Sequence, residues 1–199
     1  FAGLQGAGKL HLTLASTLTL DEAINSGGAE IIVTASEGLV LNAAVRSGGG
    51  NITFHAGTFI SLSSVASIDG ESGAPLVSLE ADGGAITMAS GSSINGAGGR
   101  VELDATGDVS VTSITSTGDV SVTSSTGSIL DVLNNGLPRI VGKAIALAAP
   151  LGRVGRVGFD FVVDTAAPGS GGLLSVDAKE TVWIAEKTGG LDIGTIASR

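Results

Sequence analysis

Three acidic side chains, Glu80, Glu102 and Asp104, fall at positions where carboxylates from neighbouring segments of one chain can converge. Convergent carboxylates can do two kinds of chemistry. Placed on one face with a basic partner they serve as the acid and base of glycoside hydrolysis or polysaccharide lysis. As hard oxygen donors they hold Ca²⁺ weakly. No catalytic residue is assigned and no cofactor is expected: the three carboxylates read first as a solvated acidic patch, with weak calcium binding as the alternative. Four basic residues, Arg139, Lys143, Arg153 and Arg156, lie within eighteen positions that contain no acid. On an acidic chain such a group suits an acidic polysaccharide or lipopolysaccharide. Trp183 stands between two apolar residues that alternate inward, which puts its ring on the outside, for cover by the 158–170 segment or for stacking on a sugar. The two histidines, His11 and His55, both read as outward and about 12 Å apart, too far to share a metal. The glycine pairs at 83–84 and 98–99 precede no helix and no suitably spaced lysine, so they mark corners and not phosphate cradles.

These assignments of facing rest on a repeat. Apolar residues recur at Leu10, Ile31, Ile52, Val77, Val101, Val120, Ile145 and Leu174, at intervals of 19 to 29 residues. Two positions later stand Leu12, Val33, Phe54, Leu79, Leu103, Val122, Leu147 and Val176. Two further on the residue is Leu14 and then always Ala or Ser, small enough for a corner. A second alternating pair begins eight or nine residues after each first position: Leu18/Leu20, Leu39/Leu41, Ile60/Leu62, Ile86/Met88, Val109/Val111, Ile129 with Val132, Val154 with Val157, and Val182/Ile184. A third apolar stop follows at Ile24, Val45, Ile68, Ile94 and Ile114.

Period-2 alternation places these side chains on one face of short strands, and a unit of about 21 residues cannot bury that face alone. Stacking of successive units buries it. Equivalent strands then lie parallel about 4.8 Å apart, and parallel crossovers are overwhelmingly right-handed. The chain therefore reads as all-β, a right-handed parallel β-helix (β-solenoid) of about eight coils with three short strands per coil. Residues 1–199 form a single segment, with projecting loops near 133–143 and 153–172, where the interval lengthens and Pro138 and Pro168 occur. Phe1–Gly8 and 191–199 look like parts of coils, so further coils of the same polypeptide are expected to flank both ends and the fragment is expected to stack end to end.

Composition agrees. The chain has 32 glycines, 43% hydrophobic residues, 15% charged residues, 3% aromatics and no cysteine, which suits a turn-rich repeat and excludes disulfides and thiolate metal sites. A net charge of −9 opposes nucleic-acid binding. The longest apolar run, Ala144–Ala149, is far shorter than the roughly 20 residues of a membrane-spanning helix. An outer-membrane barrel would want aromatic girdles, for which one Trp and no Tyr do not suffice.

The phrases Gly-Gly-Asn-Ile-Thr-Phe-His-Ala (49–56), Gly-Asp-Val-Ser-Val-Thr-Ser (107–113, with a second copy at 118–124) and Thr-Gly-Ser-Ile-Leu-Asp (126–131) resemble repeats of filamentous-haemagglutinin-like exoproteins and giant bacterial adhesins. So does Val-Gly-Lys-Ala-Ile-Ala-Leu-Ala-Ala (141–149), followed by Val-Trp-Ile-Ala-Glu-Lys-Thr-Gly-Gly-Leu-Asp-Ile-Gly (182–194). That resemblance implies a secreted or outer-membrane-associated rod that holds binding regions away from the cell and carries no catalytic motif. The expected function is a structural and adhesive rod contacting a glycan or a cell surface. The alternatives are a carbohydrate-active β-helix enzyme and, with less support, an ice-binding solenoid. Ice binding would need a flat threonine array, whereas the outward column reads Thr13, Thr34, His55, Glu80, Asp104, Thr123, Ala148, Asp177.

Overall fold

The computed structural model describes residues 4–6, 8–165, 172–188 and 190–198. Their regular structure is all β-strand, arranged as a parallel solenoid of about eight turns with three sheets. The front sheet has nine strands: Leu10–Leu14, Ile31–Ala35, Ile52–Ala56, Val77–Ala81, Val101–Ala105, Val120–Ser124, Ala144–Ala149, Leu173–Ala178 and Asp192–Ser198. A side sheet of six strands runs from Leu18–Leu20 to Ile129–Asp131, and single parallel bridges from Ile129 to Val154 and from Val154 to Val182 extend it. The rear sheet has nine strands, from Leu4–Gln5 to Ile184–Glu186.

The front-sheet register is the one the repeat predicts. Ile31 pairs with Leu10 and Ile52, Leu103 with Leu79 and Val122, and Leu174 with Ile145. From Ile31 to Ala178 the inward positions of this sheet are no more than 2% exposed, so successive rungs form one dry column. The third stops stack in the same way, Ile24 on Val45, Val45 on Ile68, Ile68 on Ile94 and Ile94 on Ile114, and the column continues through Ile140 and Val163. Where the coil turns a corner the backbones nearly touch. A Cβ added at Gly57 would lie 2.1 Å from the Ser36 carbonyl oxygen, which explains glycine there.

The interior also carries polar groups that alternation does not reveal. Ser26, Ser47, Ser116 and Thr165 are at most 3% exposed, each two residues past a third stop. The serine hydroxyls serve the neighbouring backbone, Ser26 donating to the Ser47 carbonyl at 3.1 Å and Ser116 to the Gly99 carbonyl at 2.5 Å, while the Thr165 hydroxyl donates to the Glu186 carboxylate at 3.2 Å. Ser92 and Thr112 share a hydrogen bond of 3.1 Å at another corner. Buried hydroxyls satisfied in this way add little cost.

The structure corrects two parts of the expected pattern. In the sixth coil the second inward residue is Asp131, paired with Val111, and not Val132, which is 44% exposed. In the seventh, Val154 bridges as expected, but Val157 is 73% exposed beside a tight turn in which Arg156 and Phe159 bond to each other. The stretches 133–143 and 153–172 are likewise only partly loops. Ile140–Val141 and Phe161–Asp164 are strands of the rear sheet, and Phe161, Val162 and Val163 are all buried. The last front strand adds a coil start beyond the eight expected. Ile193 and Ile196 continue the columns of Leu174 and Val176, and a bulge at Gly194 shifts their spacing from two to three.

Candidate functional site

On the outer face of the front sheet, parallel in-register pairing sets His55 beside Glu80 and Glu80 beside Asp104. Asp82 follows the strand Val77–Ala81 directly. Its amide donates to the Ala56 carbonyl at 3.0 Å, so the ladder runs one rung past the strand end and carries the Asp82 carboxylate towards His55. His55 Nε2 and Asp82 Oδ2 are 3.0 Å apart. The Thr106 hydroxyl donates to the Asp82 carbonyl, and the Thr126 hydroxyl to the Thr106 carbonyl at 2.6 Å, which anchors the turn from two coils. The ligand atoms of His55, Glu80 and Asp82 all lie within 4.8 Å of one another, the one such group of three or more His, Asp or Glu side chains among the described residues.

The trio Glu80, Glu102 and Asp104 is only partly assembled. Glu80 and Asp104 are adjacent and Glu102 stands two residues along the same face, level with Ser78 and Ser121, both as expected, but the Glu102 carboxylate lies 2.7 Å from Arg100 Nε. Histidine enters the acidic group in its place. The neighbourhood of His55 and Glu80 was readable from the outward column. Asp82 was not, because it lies past the corner residue on a turn where strand periodicity ends.

The four basic residues do not form one patch. Arg139 is 2% exposed and is buried within the coil, so it is removed from the expected surface contact. Its Nη1 donates to the Thr112 carbonyl at 2.8 Å, its Nε to Leu137 at 3.0 Å, and its Nη2 to Leu137 at 2.6 Å and to Asn135 Oδ1. Asp131 Oδ2 lies 3.4 Å from Arg139 Nε, while Asp131 Oδ1 accepts from the amides of Leu133 at 2.7 Å and Asn134 at 3.2 Å. Lys143 is exposed at the start of a front strand, where its amide bonds the Gly118 carbonyl. Arg153 lies by the side sheet, its amide donating to the Ser128 hydroxyl and its guanidinium 3.8 Å from Glu180. The Arg156 guanidinium stacks 3.9 Å from the centre of the Phe159 ring.

Trp183 is outward and partly exposed, between Val182 and Ile184, whose in-register partners are Val154 and Phe161. Its amide and carbonyl bond Val154 and Phe161, both at 2.8 Å. Part of the segment expected to cover it, 166–170, lies outside the described residues. Two further hollows bear on binding. One is a shallow groove across the front sheet over Ser121, Ala146 and Ser175, with Arg100 and Asp119 at one end. The other lies between the two irregular stretches, where Lys187 Nζ donates to the Gly136 carbonyl at 3.1 Å beside Asp160 and Glu186.

No family model, curated protein or solved structure matches this chain. The functional reading therefore rests on the geometry and on the short repeat phrases. No helix among the described residues is long and apolar enough to cross a membrane.

Proposed function

We propose that the chain is a structural and adhesive rod segment of a secreted or outer-membrane-associated bacterial protein, non-catalytic, presenting its outer faces to a glycan or cell surface. The observation that carries this reading is the unbroken interior. From Ile31 to Ala178 every rung of the front sheet repeats the same inward contacts. A stack of this kind gains stability from each nearest-neighbour interface and so suits a long, stiff spacer. The filamentous-haemagglutinin-like phrases support the same reading. For contact with a ligand, the groove over Ser121, Ala146 and Ser175 offers an extended surface, and Lys143, Arg156 and the exposed edge of Trp183 offer cationic and stacking groups.

A glycan array probed with the purified chain is expected to show retention of acidic polysaccharides. Trp183→Ala or Arg156→Ala is expected to weaken that retention about threefold to thirtyfold. Release of shortened or unsaturated sugars from the same glycans would overturn the non-catalytic reading in favour of a carbohydrate-active enzyme.

A further inference from the structure

We propose that His55, Glu80 and Asp82 form a binding site for a divalent transition metal of the zinc type on the outer face of the front sheet. The site does not depend on the adhesive reading. Its donors are one imidazole nitrogen and two carboxylate oxygens, already within 4.8 Å of one another. Zinc bonds of about 2.0–2.2 Å in a tetrahedral shell place neighbouring ligand atoms about 3.3–3.5 Å apart. His55 Nε2 and Asp82 Oδ2 stand at 3.0 Å, close to that separation. Glu80 is exposed on the adjacent rung, with a carboxylate oxygen within 4.8 Å of the other two donors.

Charge points the same way. The two carboxylates and the histidine have no Lys or Arg ion pair among the described residues, whereas the nearby Glu102 has Arg100. A dication fits this unbalanced negative site. For the metal to bind, Nε2 must be free of its proton, which resides on Nδ1 in the neutral ring or passes to solvent from the doubly protonated one; the Nε2 lone pair and the two carboxylates then hold the ion, and water completes the shell. The imidazole selects zinc, cobalt or nickel over calcium, which takes six to eight oxygens. The ligands come from two consecutive coils, Ile52–Ala56 and Val77–Ala81 with the turn after it. The bound ion therefore cross-links these coils opposite the wide turn at 70–76, where Glu71 adopts φ of 62°.

Titration calorimetry of the whole chain with Zn²⁺ and, separately, Ca²⁺ tests the site. The expected result is one zinc per chain in the micromolar range and no heat with calcium. His55→Gln and Glu80→Gln should each weaken zinc binding at least tenfold, while Glu102→Gln and His11→Gln leave it unchanged. Thermal unfolding with zinc at about a hundredfold excess over the dissociation constant should rise by about 5–10 °C in the wild type and by far less in His55→Gln. Circular dichroism of each variant confirms that the β-rich fold is kept. Absence of zinc heat at millimolar metal, equal binding by His55→Gln and the wild type, or a preference for calcium would overturn the proposal.

Discussion

Leu103→Asp is expected to destabilise the solenoid by more than about 5 kcal/mol, while Asp104→Asn, one residue along, changes stability by no more than about 0.5 kcal/mol. Leu103 is 1% exposed, with Leu79 below it and Val122 above. Truncating such a leucine to alanine alone costs about 2–5 kcal/mol. Aspartate adds a carboxyl group with no donor in a column that contains none. Asp104 instead faces solvent next to Glu80, and its amide variant relieves a like-charge contact. For a chain of this size the larger change lowers the melting temperature by at least about 10–20 °C. In a solenoid each coil contacts only its neighbours, so the loss should be local before it is global. Hydrogen exchange should therefore show amides of 77–81 and 120–124 losing protection before those of 31–35. Unchanged melting of Leu103→Asp, or a larger effect from Asp104→Asn, would mean that the two residues face the other way.

That contrast rests on facing, which is the part of the fold most legible in the sequence. Parallel stacking requires the same position of every coil to be apolar, so Leu10 to Leu174 could be aligned with no structure at all, and the register agrees at every rung. Legibility fails where the interior stops being apolar. A search for alternating hydrophobic residues passes over Asp131 and takes Val132, although the three-residue step from Ile129 to Val132 already breaks period 2. The same search makes loops of 133–143 and 153–172, because the short rear strands Ile140–Val141 and Phe161–Asp164 are flanked by turns that hide their phase. The corner hydroxyls of Ser26, Ser47 and Ser116 escape it for a related reason. Serine in a corner looks like serine in a loop until the carbonyl of a neighbouring coil is placed beside it.

The candidate site divides along the same line. His55 and Glu80 share a column and so are neighbours from the register alone, whereas the distance between the two histidines says nothing of the carboxylates on adjoining coils. The basic residues fared worse. Nearness in sequence means little in a solenoid, since a coil carries the chain around all three faces within about 21 residues. Lys143 and Arg153 are ten positions apart, yet one begins a front strand and the other lies by the side sheet.

Arg139 reads as a surface residue by composition but lies in the interior, and its removal is expected to be among the most damaging single changes outside the apolar columns. Arg139→Met leaves Asp131 buried without its cation, and Asp131→Val leaves the guanidinium without its anion. Breaking a buried pair from either side costs about 3–5 kcal/mol. The pair also closes the turn between the side and rear sheets. The guanidinium occupies the carbonyls of Thr112 and Leu137, and Asp131 Oδ1 occupies the amides of Leu133 and Asn134. An apolar replacement of both partners removes the unpaired charge but strands those backbone groups, at about 1–3 kcal/mol. The double variant Asp131→Val, Arg139→Met is thus expected to be less stable than the wild type, yet more stable than the sum of the single losses predicts by at least about 2 kcal/mol. Urea unfolding of the four proteins in a double-mutant cycle measures this coupling directly. Additive losses, or an Arg139→Met variant within about 1 kcal/mol of the wild type, would show that the backbone bonds and not the ion pair hold the turn.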